Sequence, residues 1–276
     1  MRINFTKMHG AGNDFIVFDA PRDAPLPGPE QLRRLANRHT GIGFDQAMVI
    51  RPARKPGTAI HYQIFNSDGT EVEQCGNGAR CVASLLFRTG RVPAGDVLMD
   101  SQGGLVRARI ERADWISVAM GVPDFEPAAL PFEAPQRQPA YDLTAAGHAV
   151  RIGAVSVGNP HAVLTVASVD TAQVGLLGPA IEAHPRFPRH VNVGFMEVVD
   201  RKDIRLRVYE RGVGETLACG TGACAAVIIG RSQGLLEPQV RVRVPGGELR
   251  VDWMGPGEPV WLSGPAEIAF EGHVDL

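Results

Sequence analysis

The sequence has no apolar run approaching the roughly 18 residues that a membrane-spanning helix needs. That argues against a membrane partner. An excess of one charge sign is also missing: 28 Lys and Arg stand against 30 Asp and Glu, for a net charge of −2, which argues against nucleic acid. The one basic stretch, Arg201 to Arg207, alternates with Ile204 and Leu206 and reads as a strand with one solvated face. The first residues, Met1-Arg2-Ile3-Asn4-Phe5-Thr6-Lys7, alternate in the same way and lack the apolar core of a signal peptide. Cysteine is scarce, with four in the chain, and a protein long enough to bury its own core has no need of disulfide staples. A cytoplasmic protein with reduced thiols is expected from these readings.

The cysteines also lack the spacings of the commoner thiol and metal chemistries. There is no C-x-x-C pair for a thiol oxidoreductase. Cys75 with Cys81 and Cys219 with Cys224 form C-x5-C and C-x4-C, which are not zinc-clip spacings. On a helix such neighbours point away from each other. No His-x3-His pair supplies other ligands, so no metal is expected. Cys81 and Cys224 lie inside apolar segments and read as small buried hydrophobes.

What is present is a repeat. Cys75-Gly76-Asn77-Gly78-Ala79-Arg80 and Cys219-Gly220-Thr221-Gly222-Ala223-Cys224 are near-copies 144 positions apart. Residues 64 to 90 lie on residues 208 to 234 without a gap, matching Glu71 with Glu215 and Gly90 with Gly234. Two related halves follow, and the length suits two domains. In each copy the thiol precedes a Gly-rich turn that opens an apolar helix. Backbone N–H groups and the positive helix end then converge beside the sulfur, a setting that favours thiolate and binds carboxylate.

Short alternating segments dominate elsewhere, among them Phe15 to Phe18, Ala47 to Ile50, Ala59 to Phe65, Arg205 to Tyr209 and Val240 to Val244. Helices are expected over Pro29 to Arg38, Arg80 to Arg88, Val169 to Ile181 and Ala223 to Ser232. The second and fourth are apolar all round and must be surrounded by protein, with Gly90 and Gly234 at their C-caps. Five prolines from Pro123 to Pro139 recur every four residues, which rules out a helix or central strand there. The stretch is a linker or an irregular edge strand draped over the second half.

Several motifs in order spell a family. His9-Gly10-Ala11-Gly12-Asn13-Asp14-Phe15, Gly43-Phe44-Asp45-Gln46, Phe65-Asn66-Ser67-Asp68-Gly69, the two cysteine runs, Gly158-Asn159-Pro160-His161, Asn192-Val193-Gly194-Phe195 and Tyr209-Glu210-Arg211-Gly212 together resemble the diaminopimelate epimerases. The likeness runs from end to end. It implies an α/β (α+β) fold of two pseudo-symmetric domains, each a mostly antiparallel, barrel-like sheet wrapped around a central helix, with substrate in the cleft between them. The expected domains are 1–119 plus 265–276, and 120–264.

The resemblance also implies an activity: cofactor-independent interconversion of LL- and meso-diaminopimelate, on the route to lysine and peptidoglycan precursors. Inverting a feebly acidic α-carbon takes a base on one face and an acid on the other, and by resemblance these are Cys75 and Cys219. Gly76, Asn77, Gly220 and Thr221 would grip the α-carboxylate through their N–H groups. Asn66, Asn159, Asn192 and Arg211 would hold the distal carboxylate, and Glu210 with Asn66 the distal ammonium. Asn13 and Gln46 would complete the pocket, while His161 and Glu210 tune the cysteines. His9 and Asp14 read as loop-forming residues.

The sequence departs from the family in two places. Thr221 stands where serine is frequent, keeping the N–H and a hydroxyl, and Phe270 stands where some members carry a tyrosine that packs across a homodimer interface. Two rival readings are a proline racemase, which would have no use for Arg211 and the Asn cluster, and a non-catalytic binding protein, which would have no use for the paired cysteines.

Overall fold

The computed structural model describes residues 2–20, 27–73 and 75–275. The chain divides into two compact units, Met1–Ala119 with Ser263–Leu276, and Met120–Leu262.

In the first unit, strand Arg2–Gly10 lies between Glu267–Asp275 and Asn13–Asp19, antiparallel to both. Asn13–Asp19 runs parallel to Gln46–Pro52, which pairs antiparallel with Ile60–Asn66. The sheet continues through a parallel step to Gly95–Ser101 and then antiparallel through Gly104–Arg112 to Trp115–Ala119. Helix α1 (Pro29–Ala36) buries Leu32, Leu35 and Ala36 in a cluster with Ile16, Phe18, Phe44 and Val49. It stops short of the expected Arg38, because Asn37 is already extended at ψ 120°. Helix α2 (Gly76–Arg88) is buried from Asn77 to Leu86 and packs on five of these strands.

The second unit repeats the plan. Tyr141–Ala145, His148–Ser156 and Pro160–Thr165 pair antiparallel in sequence, and Pro160–Thr165 runs parallel to Asn192–Asp200. Asn192–Asp200 is antiparallel to Asp203–Glu210, which steps in parallel to Gln239–Val244 and on to Gly247–Asp252. Helix α3 (Val174–Glu182) begins five residues later than expected, and Val169 instead donates its N–H to the Glu197 carboxylate. Helix α4 (Gly220–Ser232) is buried from Gly222 to Gly230.

Both central helices end alike. Gly90 and Gly234 have φ of 71° and 75°. The Gly90 N–H donates to the Phe87 carbonyl and the Arg91 N–H to that of Leu86, and the same pair of bonds joins Gly234 to Arg231 and Leu235 to Gly230. These are Schellman caps, and the left-handed residue is glycine because a Cβ there is strained. The proline-rich stretch is neither a bare linker nor a regular strand. It holds a 3-10 turn at Pro127–Ala129 and one bridge, Asp124 to Ser156. Leu130 and Phe132 enter the core, where Phe132 stacks on Phe187 at 4.4 Å.

Candidate active site

In each unit a cysteine caps the central helix. Cys75 is the N-cap of α2, with extended backbone at φ −152°, and its Sγ accepts the Gly78 N–H at 3.3 Å. Both helices therefore begin earlier than expected, at Gly76 rather than Arg80 and at Gly220 rather than Ala223, directly after the cysteine. Neither has an acidic residue in its first turn, so no carboxylate there offsets the positive helix end. The glycines make room. A Cβ on Gly78 would lie 2.8 Å from the Met48 sulfur, and one on Gly222 3.3 Å from the Cys219 sulfur.

Strand register gathers the polar side chains of the first unit. Asn13 and Gln46 open two parallel strands, and Asn66 closes the antiparallel third, so all three stand at one end of the sheet. Gln46 Nε2 donates to Asn66 Oδ1 at 3.0 Å, and Asn66 Nδ2 donates to Thr70 Oγ1 at 3.3 Å. Asn77 is buried beside Cys75; its Nδ2 lies 3.4 Å from Asn13 Oδ1, and its Oδ1 has no hydrogen-bond partner. Tyr62, on the same strand as Asn66, has its hydroxyl pushed up by burial and by the charge of Cys75, against a hydrogen bond with Ser101. No sequence motif singles out Tyr62. A signal exists all the same, since alternation along Ile60–Asn66 gives Tyr62 and Asn66 a common face.

The second unit repeats the arrangement. Asn159 precedes the strand Pro160–Thr165, Asn192 opens its parallel neighbour, and Glu210 closes the antiparallel third. Cys219, the N-cap of α4, is 5% exposed. Burial pushes its thiol well above the ordinary value, and the Glu210 charge adds to the rise, against hydrogen bonds from Thr221 and the Gly222 N–H. Glu210 also accepts the Thr216 hydroxyl at 2.5 Å. Asn192 donates to the Pro160 carbonyl at 3.0 Å and accepts the Arg211 N–H at 3.1 Å, leaving the Arg211 side chain exposed.

The hydrogen bonds of His161 reach the sulfur through two intermediaries. Its Nε2 lies 3.0 Å from Asn159 Oδ1, Asn159 Nδ2 lies 3.3 Å from Thr221 Oγ1, and Thr221 Oγ1 lies 3.5 Å from Cys219 Sγ. Burial drives the His161 pKa down to about 3, with the Arg211 charge adding to the shift. The ring is neutral. A neutral imidazole that donates from Nε2 leaves Nδ1 as an acceptor, and that buried atom has no hydrogen-bond partner. Cys81 behaves as a buried hydrophobe, its thiol pushed up to about 12 by burial.

Among the described residues, no group of three or more His, Cys, Asp or Glu is placed to hold a metal ion, and no helix is long and apolar enough to cross a membrane. Phe270 lies on the last strand of the first unit, 48% exposed, with its ring edge-on to Phe5 at 6.0 Å.

The sequence matches the family model described as "Diaminopimelate epimerase" over residues 5–126 and 153–269. It is 54% identical, over the full length of both chains, to a diaminopimelate epimerase of Alkalilimnicola ehrlichii. It is 51% identical, again over both full lengths, to one of Nitrosomonas eutropha. The crystal structure of a hydroxyproline epimerase from Agrobacterium vitis superposes with a TM-score of 0.69, covering 99% of this chain and 92% of that one at 18% identity. That likeness shows a shared two-domain α+β fold alone. With helix-capping cysteines in matched surroundings, and relatives of more than half identity over their whole length, the chain belongs to the diaminopimelate epimerase family.

Proposed function

We propose that this protein converts LL-diaminopimelate to meso-diaminopimelate without a cofactor, supplying lysine and peptidoglycan precursors. One observation carries the reading: each unit caps a buried helix with a cysteine and sets amide or carboxylate side chains at one sheet end beside it. Cys75 is the base, because it is only half-buried where Cys219 is buried. Cys219 is the acid, held as a thiol by burial and by Glu210.

The step balances in protons and electrons. The Cys75 thiolate takes the α-proton, the C–H electron pair passes into the α-carboxylate, and the Cys219 thiol delivers a proton to the opposite face. Cys75 is left as the thiol and Cys219 as the thiolate, ready for the reverse direction. The N–H groups of Gly76, Asn77, Gly220 and Thr221 hold that carboxylate as charge builds on it. Each donor of this kind contributes about 2.7 to 4 kcal/mol.

Asn66, Asn159, Asn192 and Arg211 hold the distal carboxylate, while Glu210 and Asn66 hold the distal ammonium. Asn13 and Gln46 complete the pocket, and His161 and Glu210 tune the cysteines. The finer architecture belongs to the same proposal: barrel-like sheets around α2 and α4, domains 1–119 plus 265–276 and 120–264, and a cytoplasmic homodimer joined near Phe270. Exposure of that ring on the last strand supports the dimer.

Epimerisation in deuterated water tests the reading. Meso product should carry one solvent deuteron at the inverted carbon, and Cys75→Ala and Cys219→Ala should each abolish turnover. Racemisation of proline without turnover of LL-diaminopimelate would reverse the assignment, and full activity in either cysteine variant would end the two-base account.

A further inference from the structure

A network in the first unit fixes which atom of Asn13 can meet a ligand. The Asp45 carboxylate takes the Asn13 Nδ2 at 2.7 Å and the Asp14 N–H at 3.1 Å on one oxygen, and Arg38 at 2.8 Å on the other. Arg38 also forks onto Asp14 at 2.9 and 2.8 Å, and Asp14 in turn takes Lys7 at 2.5 Å and the Asp45 N–H at 3.0 Å. Lys7 closes the ring of contacts by donating to the Gly43 carbonyl. The reciprocal bonds between Asp14 and Asp45 clamp the turn at Ala11 and Gly12, with φ of 53° and 84°, to the segment that ends at Gln46.

A carboxylate only accepts, so the Asn13 atom facing Asp45 must be its NH2. The carbonyl oxygen is therefore turned the other way, toward the Asn77 amide. Asn77 must present its own NH2 to that oxygen, at 3.4 Å, which leaves Asn77 Oδ1 buried without a hydrogen-bond partner. Two carbonyl oxygens thus stand beside the start of α2. An ammonium group carries three donors and no acceptor, and matches them; a second carboxylate would be repelled.

We propose that Asp45, braced by Arg38, is a positioning residue that sets the Asn13 amide to accept from the α-ammonium of the substrate. This rests on the epimerase reading above and adds to it how the reacting end is oriented. Without Asp45 the amide is free to turn its NH2 toward the ammonium. The loss falls on binding of the amino group rather than on proton transfer, and the Asp45 N–H still holds the Asp14 carboxylate across the turn.

The test compares wild type, Asp45→Ala and Asp45→Asn in steady-state epimerisation, thermal unfolding, and inhibition by a substrate analogue with hydrogen in place of the α-ammonium. In Asp45→Ala the KM for LL-diaminopimelate should rise about ten-fold with a smaller change in kcat, while the analogue binds as it does to wild type. Asp45→Asn, which still offers a carbonyl oxygen, should fall between the two. Equal weakening of substrate and analogue, or no change in either, overturns the inference while wild-type turnover leaves the epimerase reading standing. Absence of wild-type turnover defeats both.

Discussion

The Thr221 hydroxyl oxygen stands 3.5 Å from the Cys219 sulfur and 3.3 Å from the Asn159 amide nitrogen. The amide nitrogen has only protons to give, so the hydroxyl accepts from Asn159, and once Cys219 becomes a thiolate, which can only accept, the hydroxyl proton is the one directed at the sulfur. Thr221→Val removes that donor and keeps the shape. A hydrogen bond to a charged group contributes about 1.5 to 3 kcal/mol, so kcat should fall roughly ten- to hundred-fold. Thr221→Ser should stay near wild type, and steady-state kinetics on the pair decides the point.

Glu210 acts on the same sulfur with the opposite sign. Its charge helps to raise the Cys219 thiol, so Glu210→Gln should let the thiolate form at lower pH. In a Cys75→Ala background, the pH profile of Cys219 alkylation by iodoacetamide should shift toward acid. A shift toward alkali would contradict the assignment.

His161 makes the fold sensitive to acid. In the folded protein its pKa is lowered from 6.5 to about 3, so between those limits the unfolded chain binds a proton that the folded chain does not. Stability contributed by the neutral ring is complete above about pH 6.5 and is lost as pH falls toward 3. The slope from this one group approaches about 1.4 kcal/mol per pH unit. His161→Gln should flatten the denaturation midpoint over that range; an unchanged slope would show that other groups set the acid limb.

Two glycines separate positioning from stability. A methyl on Gly222 would lie 3.0 Å from Val208 and 3.3 Å from the Cys219 sulfur, whereas one on Gly153 would lie 2.3 Å from Ile229 Cγ2. Gly222→Ala should cut kcat with little effect on the melting temperature. Gly153→Ala, which overpacks against α4, should cost about 1 to 3 kcal/mol in urea unfolding.

The gapless repeat of residues 64–90 on 208–234 carries much of the fold, because it fixes two buried helices, their cysteine caps and their glycine ends from local chemistry. Val169 to Gln173 reads as helix and is not, since its apolar residues serve a loop whose N–H is held by Glu197, a partner distant in sequence. The residues that touch substrate in the proposed chemistry stand in recognisable motifs. What stays hidden lies one step behind them: Asp45 belongs to the Gly43-Phe44-Asp45-Gln46 motif, yet its grip on Asn13 depends on the parallel register of Asn13–Asp19 with Gln46–Pro52. No spacing along the chain announces a partner 32 residues away.

The unequal cover over the two sulfurs, one half-buried and the other 5% exposed, imposes an order on chemical damage. A bulky electrophile or a peroxide should reach residue 75 well before residue 219, so one adduct silences the enzyme while its opposite number is still intact. Inactivation would then track a single mass increment, and protection by a bound carboxylate would be read at that position first.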